Sequence, residues 1–241
     1  PQGADAVIKI EETDIQGEII TLYNSVTPGK NIAKEGEDIK EGDLVLKKGI
    51  QTKPEHIAMI SSIGIKKIKV SKRPEISVFS TGNELIEVGK PIEPNKIYNS
   101  NTPMISNLVR IYGGIPKKCL TLKDDTEEII SQLKDSLKIS DVVVFTGGTS
   151  VGTKDLLPLI IKQEGEILVH GVAMRPGKPV LLGLVQNKIV ICLPGTPVAA
   201  YVGFLKFVGP LIRKMMRCQK IDPRLEIKAK VGQDVPVSKM G

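Results

Sequence analysis

The sequence has no tryptophan and few other aromatic residues, so any core it forms must be aliphatic. Aromatic residues make up 3% of the 241 residues, whereas apolar residues as a whole make up 41%. Short runs of Ile, Val and Leu are typical of parallel strands that are buried on both faces. Since aromatic rings are the usual platform for stacking the bases of single strands, we expect no nucleic-acid partner.

Cysteine and histidine are too scarce and too widely spaced to form a metal site of the zinc type, which needs closely spaced thiolate and imidazole ligands. The cysteines are Cys119, Cys192 and Cys218, and the histidines are His56 and His170. No Cys-x-x-Cys pair occurs. We therefore expect three reduced thiols in a cytoplasmic protein.

Long apolar runs and a leader segment are also lacking. No stretch approaches the roughly 18 apolar residues of a membrane-spanning helix, so we expect no membrane partner. The net charge of +7 comes from 34 basic and 27 acidic residues. The basic residues are dispersed, which favours a solvated surface over a charged binding face. Because the sequence starts at Pro1 and not at Met, we expect it to be part of a longer protein.

What the sequence does contain, between about residues 74 and 217, is a regular alternation of apolar and helical segments. The strand-like segments are Ile76–Ser80, Lys117–Leu122, Val142–Phe145, Val180–Leu184 and Ile189–Leu193. Helical patterns begin near Thr102, Asp125, Asp155 and Thr196, and Pro210 should kink the last of them. This alternation predicts an α/β fold, with a central three-layer domain around a mainly parallel sheet.

The region before residue 74 has a different pattern, with shorter and more polar strand-like segments. Ala6–Ile10, Glu18–Leu22 and Lys67–Val70 each resemble a strand, and Pro54–Ile63 resembles a helix. The sequence therefore predicts flanking β-rich segments, joined to the α/β domain by a linker at Arg73-Pro74.

A glycine-rich loop is the strongest local signal. The stretch Thr146-Gly-Gly-Thr-Ser-Val-Gly-Thr-Lys-Asp155 follows a predicted strand and leads into a predicted helix. Gly147 and Gly148 let the backbone approach a ligand closely, and successive N–H groups at a helix start bind anions. The Gly-Lys-Ser/Thr ending of a Walker loop is absent. A carboxylate such as Asp155 beside a phosphate indicates an intervening cation, with Mg²⁺ the usual one, or a general base. The alternative is a tight turn with a helix-capping Asp.

Acidic residues follow two more of the predicted strands. Glu84 comes after Gly82, and Asp124 precedes Asp125. Asp125 is a natural N-cap, which leaves Asp124 free to point elsewhere. Because ligands of open α/β sheets bind beyond the carboxyl ends of the strands, these acids are candidate site residues. Read singly, each is equally consistent with an ordinary turn or helix start.

Two further loops add positive charge and backbone donors. Arg175 and Lys178 flank a Pro-Gly turn, an arrangement that suits a phosphate or another oxyanion as well as a solvated loop. Pro194 and Gly195 form a turn between a predicted strand and a helix, where backbone amides could meet an anion. Together, these loops at one end of a sheet favour a phosphate-bearing substrate with a metal ion.

The ordered set of these motifs resembles the molybdopterin molybdenumtransferases, which are relatives of the gephyrin E domain. The motifs that carry the resemblance are Gly36–Ile39, Ser80–Leu85, Gly147–Asp155, Arg175–Pro179 and Leu193–Val198. The likeness extends over nearly the whole chain.

The resemblance implies an enzyme of molybdenum cofactor biosynthesis. Members of that family insert molybdate, or tungstate in some organisms, into adenylylated molybdopterin, with Mg²⁺ and with release of AMP. They are elongated homodimers of four-domain subunits. Carried over, residues 1–28 end a β-rich second domain, 29–73 belong to the first domain, 74–217 form the molybdopterin-binding domain and 218–241 begin a β-barrel-like domain.

The resemblance also assigns roles to individual residues. The catalytic residues it implies are Asp38, Glu84, Asp124 and Asp155, of which Glu84 and Asp155 would bind the metal. The substrate-binding residues it implies are Thr146, Gly147, Gly148, Ser150, Gly152, Arg175, Lys178, Pro194 and Gly195. Asp38 would serve the site of the neighbouring subunit. Two positions depart from the family, since Asn83 stands where Asp is usual and Gly171 where some relatives have Lys.

Two other functions fit part of the pattern. A molybdopterin adenylyltransferase shares the third-domain fold, but such proteins are compact single domains, and the preceding Gly36–Ile39 motif argues against that identity. A non-catalytic scaffold of the gephyrin E-domain type is the second alternative, against which the complete set of acids argues. The adenylyltransferase is also a candidate partner protein.

Overall fold

A computed structural model describes residues 2–148 and 156–234 of the chain, which forms two compact units. The first unit comprises Pro1–Lys48 and Thr52–Lys66, and the second comprises Gly49–Gln51 and Lys67–Gly241. Within the described ranges, no helix combines the length and the apolar character that crossing a membrane requires.

The first unit contains one hairpin and one α-helix. A 3₁₀ turn, Ile10–Glu12, leads into β1 (Thr13–Gln16), which pairs antiparallel with β2 (Ile19–Leu22). The helix α1 spans Pro54–Ser62 and starts with its proline, a residue suited to a first turn where the backbone N–H has no helical partner. The predicted helix in this region is therefore confirmed.

Two of the expected strands in the more polar region are wrong. Ala6–Ile10 forms no strand, and pairing begins only at Thr13, after the 3₁₀ turn. Lys67–Val70 likewise has no strand partner, and Ile68 and Val70 remain 41% and 73% exposed. Alternation of apolar and polar residues indicates a chain that could cover a core, but a strand forms only where a neighbour supplies the hydrogen bonds.

The second unit contains a six-stranded sheet in the order β6-β3-β7-β10-β9-β8. The strands of this unit are β3 (Glu75–Thr81), β4 (Leu85–Ile86), β5 (Ile97–Tyr98), β6 (Ile115–Leu122), β7 (Val142–Thr146), β8 (Glu166–His170), β9 (Leu181–Val185) and β10 (Lys188–Leu193). The first four strands in sheet order run parallel, whereas β9 and β8 run antiparallel to their neighbours. Strands β4 and β5 form a separate two-stranded parallel pair.

Helices cover both faces of this sheet. They are α2 (Asn101–Ile111), α3 (Thr126–Ile139), α4 (Leu156–Glu164), α5 (Pro197–Gly203) and α6 (Gly209–Met215). One core joins α2, α5 and α6 to the sheet through residues such as Ile105 and Phe204, and a second joins α3 and α4 through residues such as Leu133 and Ile160. All four of these side chains are no more than 1% exposed. The predicted three-layer α/β architecture is confirmed.

One strand of the six-stranded sheet, β8, was not predicted from the sequence. In β8 the burial alternates from residue to residue, because the strand lies at the edge of the sheet. Its antiparallel pairing with β9 places His170 opposite Leu181, which in turn lies opposite Cys192 of β10. The loop between β8 and β9 therefore lies at the same edge of the sheet as the carboxyl end of β10.

The last helical run is irregular before its proline. A π-helical segment, Phe204–Val208, separates α5 from α6, and Pro210 stands at the start of α6. Proline removes one backbone donor and its ring clashes with the preceding turn, so the wider π geometry accommodates it. The irregularity expected at Pro210 therefore occurs in the turn just before it.

The start of α3 confirms the expected N-cap. The Glu128 backbone N–H donates to Asp125 Oδ1 over 2.7 Å, which satisfies one of the free amides of the first turn. The Glu128 carboxylate in turn accepts from the backbone N–H of Lys123, two residues before the position that a standard capping box would use.

Removing this cap should lower stability. We expect Asp125→Ala to reduce the free energy of unfolding by about 1 kcal/mol, because a helix N–H loses its acceptor. Asp135→Ala on the same helix is the matched control, since its ion pair with Lys138 is exposed to solvent and contributes little to stability. Urea unfolding of both variants measures the difference, and equal losses would show that the cap contributes nothing specific.

Candidate functional site

The carboxyl ends of β3, β6, β7 and β10 lie at one edge of the sheet, together with the β8–β9 loop. The parallel register aligns Ser80 of β3 with Thr146 of β7, and Thr146 with Leu193 of β10. The same register aligns Thr81 with Leu122 of β6. Most of the residues singled out in the sequence follow these strand ends, and the fold therefore brings their loops together.

The loops after β3 and β6 are joined by reciprocal hydrogen bonds. The Asn83 backbone N–H donates to Asp124 Oδ2, and the Asp124 backbone N–H donates to Asn83 Oδ1, each over 3.2 Å. Lys96, half-buried near β5, donates from Nζ to the Asn83 carbonyl over 2.5 Å. The contact places Asp124 at the site and adds Lys96, a cation that the sequence did not single out.

This pairing shows which contact is kept at position 83, where the chain has Asn and the family resemblance leads us to expect Asp. Since a backbone N–H faces its side chain, Asn83 must present its oxygen there, and an aspartate could accept the same bond. The substitution thus retains the hydrogen bond and removes one negative charge next to Asp124.

The carboxylate of Glu84 folds back over the end of β3. A Cβ atom placed on Gly82 would lie 2.5 Å from Glu84 Oε1 and 2.7 Å from Oε2, so only glycine leaves room for this conformation. The two carboxylate oxygens therefore lie directly above the strand end, where a ligand of the neighbouring loops would be bound.

The glycines of the third loop pack closely against β3 and β10. The Gly147 N–H donates to the Leu193 carbonyl over 3.2 Å, and its φ of +90° favours glycine. A Cβ on Gly147 would lie 2.4 Å from the Thr81 carbonyl oxygen, and one on Gly195 would lie 3.4 Å from the Gly147 Cα atom. The structure thus brings together Gly147, Gly148 and the Pro194–Gly195 turn.

The hydroxyl of Thr146 lies below the loops of the site, in a supporting position. It is 1% exposed and lies 2.9 Å from Ser80 Oγ, which is in turn 2.7 Å from Thr102 Oγ1. Asn99 Nδ2 donates to Thr102 Oγ1 and to Thr121 Oγ1 over 2.9 and 2.8 Å. This buried polar network ties three strands to α2 just below the loops.

The basic turn lies on the β8–β9 hairpin. Arg175 and Lys178 are both exposed at the edge of the sheet where the other loops end. The Val172 N–H donates to the Lys178 carbonyl over 2.9 Å, which extends the hairpin towards the turn. Gly171 has a φ of +84°, a conformation that a lysine would adopt only with strain.

Several expected site residues are not placed by these contacts. Ser150, Gly152 and Asp155 lie outside the described residues. Asp38 is exposed and belongs to the first unit.

The carboxylate oxygens at this edge of the sheet are ligands of the type that Mg²⁺ prefers. Among the residues that the structure describes, no cluster of three or more His, Cys, Asp or Glu side chains could hold a metal ion. Mg²⁺ needs fewer protein ligands, because it is commonly held by one or two carboxylates together with water and substrate phosphate oxygens. The carboxylate of Glu84 above the strand end fits that ligand set.

The nearby thiols are unsuited to nucleophilic chemistry. Burial raises the pKa of the Cys192 thiol far above its usual range, and burial also raises the pKa of Cys119. Since the thiolate is the reactive form, both residues stay protonated and inert at neutral pH. All three cysteines are free thiols, as the sequence predicted.

Comparison with known proteins gives two family matches. Residues 77–214 match the family described as "Probable molybdopterin binding domain", and residues 1–64 match "MoeA N-terminal region (domain I and II)". Among solved structures, a molybdopterin biosynthesis MoeA protein from Pyrococcus horikosii is 34% identical with a TM-score of 0.75, covering 90% of this chain and 54% of that one.

Two curated relatives are both named molybdopterin molybdenumtransferase. A molybdopterin molybdenumtransferase of Staphylococcus aureus (strain COL) is 39% identical over 238 residues, and one of Staphylococcus epidermidis (strain ATCC 12228) is 38% identical over 235 residues. Each match covers 97% of this chain and 56% of the relative, so the chain spans about half the length of the curated relatives it matches.

The close approach at Gly147 predicts a large effect of a single methyl group. We expect Gly147→Ala to lower the free energy of unfolding by about 2 kcal/mol, since it combines backbone strain with a clash against the Thr81 carbonyl. Gly89→Ala is the control, because Gly89 has a φ of +94° but nothing within 4 Å of its Cβ position. It should cost about 1 kcal/mol. Equal losses in urea unfolding would contradict a tightly packed loop.

Proposed function

We infer the function of this chain from the family to which it belongs, that of the probable molybdopterin binding domains, and from the site described above. We propose that the protein inserts molybdate or tungstate into adenylylated molybdopterin, with Mg²⁺-dependent release of AMP. The observation that carries this proposal is the convergence of Glu84, Asp124, Gly147 and the Pro194–Gly195 turn at one edge of the sheet. Such a mixture of carboxylates and closely packed backbone donors suits a phosphate-bearing substrate with a metal ion.

The glycine loops hold the phosphate end of the substrate in this proposal. Gly147 and Gly148, with Gly195 beside them, have no side chain to keep a ligand away from the backbone. Since the Gly147 N–H already donates to the Leu193 carbonyl, the Gly148 N–H would be the donor to the phosphate. Thr146 supports this loop from below through Ser80, and the family resemblance adds Ser150 and Gly152 to the substrate-binding residues. Preorganised backbone donors of this kind stabilise negative charge without rearranging during the reaction.

Basic side chains bind the oxyanion in this proposal, and acidic side chains bind the metal ion or orient a ligand. Arg175 and Lys178 attract the incoming oxyanion from the exposed hairpin. Asp124, already fixed by the Asn83 backbone, orients a ligand or a water molecule. Glu84 and Asp155 would hold Mg²⁺, which when bound supplies positive charge at the pyrophosphate group.

The remaining features are proposed on the family resemblance. They are the division into domains at 1–28, 29–73, 74–217 and 218–241, a cytoplasmic homodimer, the action of Asp38 at the neighbouring subunit's site and an adenylyltransferase partner. The match of residues 1–64 to the MoeA N-terminal region favours this multidomain arrangement over a single-domain adenylyltransferase.

Neutralising Glu84 tests the metal assignment. We expect Glu84→Gln to lower Mg²⁺-dependent AMP release from adenylylated molybdopterin by about a hundredfold, because the isosteric amide keeps the contact over Gly82 but loses the charge. Asp155→Asn should have a comparable effect.

Glu87→Gln provides the matched control, since Glu87 is exposed and its nearest cation is Lys90. That variant should release AMP at the unaltered rate. Undiminished, Mg²⁺-dependent release by Glu84→Gln would remove Glu84 from the metal site, and undiminished release by Asp155→Asn would do the same for Asp155.

A further inference from the structure

Two buried polar atoms at the carboxyl edge of the sheet have no hydrogen-bond partner within residues 2–148 and 156–234. They are Thr81 Oγ1 and Asn101 Oδ1, on residues that are 3% and 8% exposed. Buried polar side chains nearly always have a partner, so such an atom needs an explanation. The other atoms of this kind in the described ranges lie on α3 or at the carboxyl end of α2.

The orientation of the Asn101 side chain is fixed by its other atom. Asn101 Nδ2 donates to the Gly195 carbonyl over 2.7 Å. Since a carbonyl can only accept, the amide nitrogen must face Gly195, and the two ends of the amide cannot be exchanged. The oxygen Oδ1 is therefore the atom left over, and it can only accept a hydrogen bond.

Positions 102 to 104, in the first turn of α2, offer no free backbone N–H to an anion. The Thr102 N–H donates to Asn99 Oδ1 over 3.1 Å, and the Met104 N–H donates to the Ser100 carbonyl over 3.2 Å. Pro103 has no N–H to offer. The side-chain atom left without a partner here is Asn101 Oδ1. As an acceptor, it binds a hydrogen-bond donor and repels a phosphate.

Asn101 is also connected to the glycine loop of the site. The carbonyl that it holds belongs to Gly195, whose Cβ position lies 3.4 Å from the Gly147 Cα atom. A ligand with its phosphate at Gly147 and Gly148 would therefore have a neighbouring group near the Asn101 amide.

We propose that Asn101 determines substrate specificity at this site, with its Oδ1 accepting a hydrogen bond from an exocyclic amino group on a heteroaromatic ring of the ligand. The inference rests on the proposed function, because both the pterin and the adenine of adenylylated molybdopterin carry such an amino group. A ring with an oxo group or hydrogen at that position leaves Oδ1 without a partner, and so it binds more weakly.

Matched ligand pairs test this recognition by calorimetric titration of the full protein that carries this sequence. One pair is AMP and purine riboside 5′-monophosphate, which lacks the amino group. The other is pterin and lumazine, in which an oxo group replaces the amino group. We expect one pair to differ by about fivefold to tenfold in Kd, the size of one hydrogen bond, and Asn101→Ala to bind both members of that pair equally.

Asn107→Ala is the control, because Asn107 lies on the same helix and also donates to a backbone carbonyl, that of Pro103. It should leave the discrimination intact. If Asn101→Ala does not fold, Asn101→Ser takes its place. Discrimination within the AMP pair alone assigns the amino group to adenine, and discrimination within the pterin pair alone assigns it to the pterin.

The unsubstituted protein decides the outcome even without a variant. If it binds AMP or pterin but treats both members of each pair alike, the inference about Asn101 is overturned while the proposed function stands. The inference is also overturned if discrimination persists in Asn101→Ala. If the protein binds neither AMP nor pterin, the proposed function and the inference fail together.

Discussion

The parallel pairing of β7 with β3 on one side and β10 on the other determines where three loops of the candidate site begin. It aligns Ser80, Thr146 and Leu193, so that three strands end at one level. The buried hydroxyl contact between Ser80 and Thr146 reinforces this level from inside the sheet. A slip of one residue would turn each side chain to the opposite face, and the glycine contacts above the strand ends would be lost.

The central domain could be predicted from the sequence, because its inner strands are continuous apolar runs and the helix α3 begins with a recognisable cap. Asp125 is an example, since a cap depends only on residues a few positions away. The edges were less predictable. Strand β8 has a weak alternating pattern, and Lys67–Val70 has a clearer one but no neighbour. Whether a segment pairs depends on distant residues, which its own pattern does not contain.

The same distinction applies to the site. Glycine, acidic and basic residues next to strand ends could be identified in advance, and the relatives named molybdopterin molybdenumtransferase confirm the resemblance on which their roles rest. The contacts that support these residues could not be identified in advance, because their partners are far apart in the sequence. Asn101 and Gly195 are 94 positions apart, and Asn83 and Asp124 are 41 apart. The run Asn99-Ser100-Asn101 at the start of α2 is a local indication that polar side chains make contacts there. The roles of Asp38, Ser150, Gly152 and Asp155 stay predictions.

The β8–β9 hairpin returns the chain to the carboxyl edge without a crossover helix. Its turn, which carries Arg175 and Lys178, is attached to the sheet through β9 and the edge strand β8, and Val172 and Met174 pack against the core. We expect substitutions at the exposed positions of this turn to leave the parallel strands in place. In the proposed function this turn carries the residues that bind the oxyanion, so we expect lineages that use different metal oxyanions to differ in the turn and to share the parallel strands.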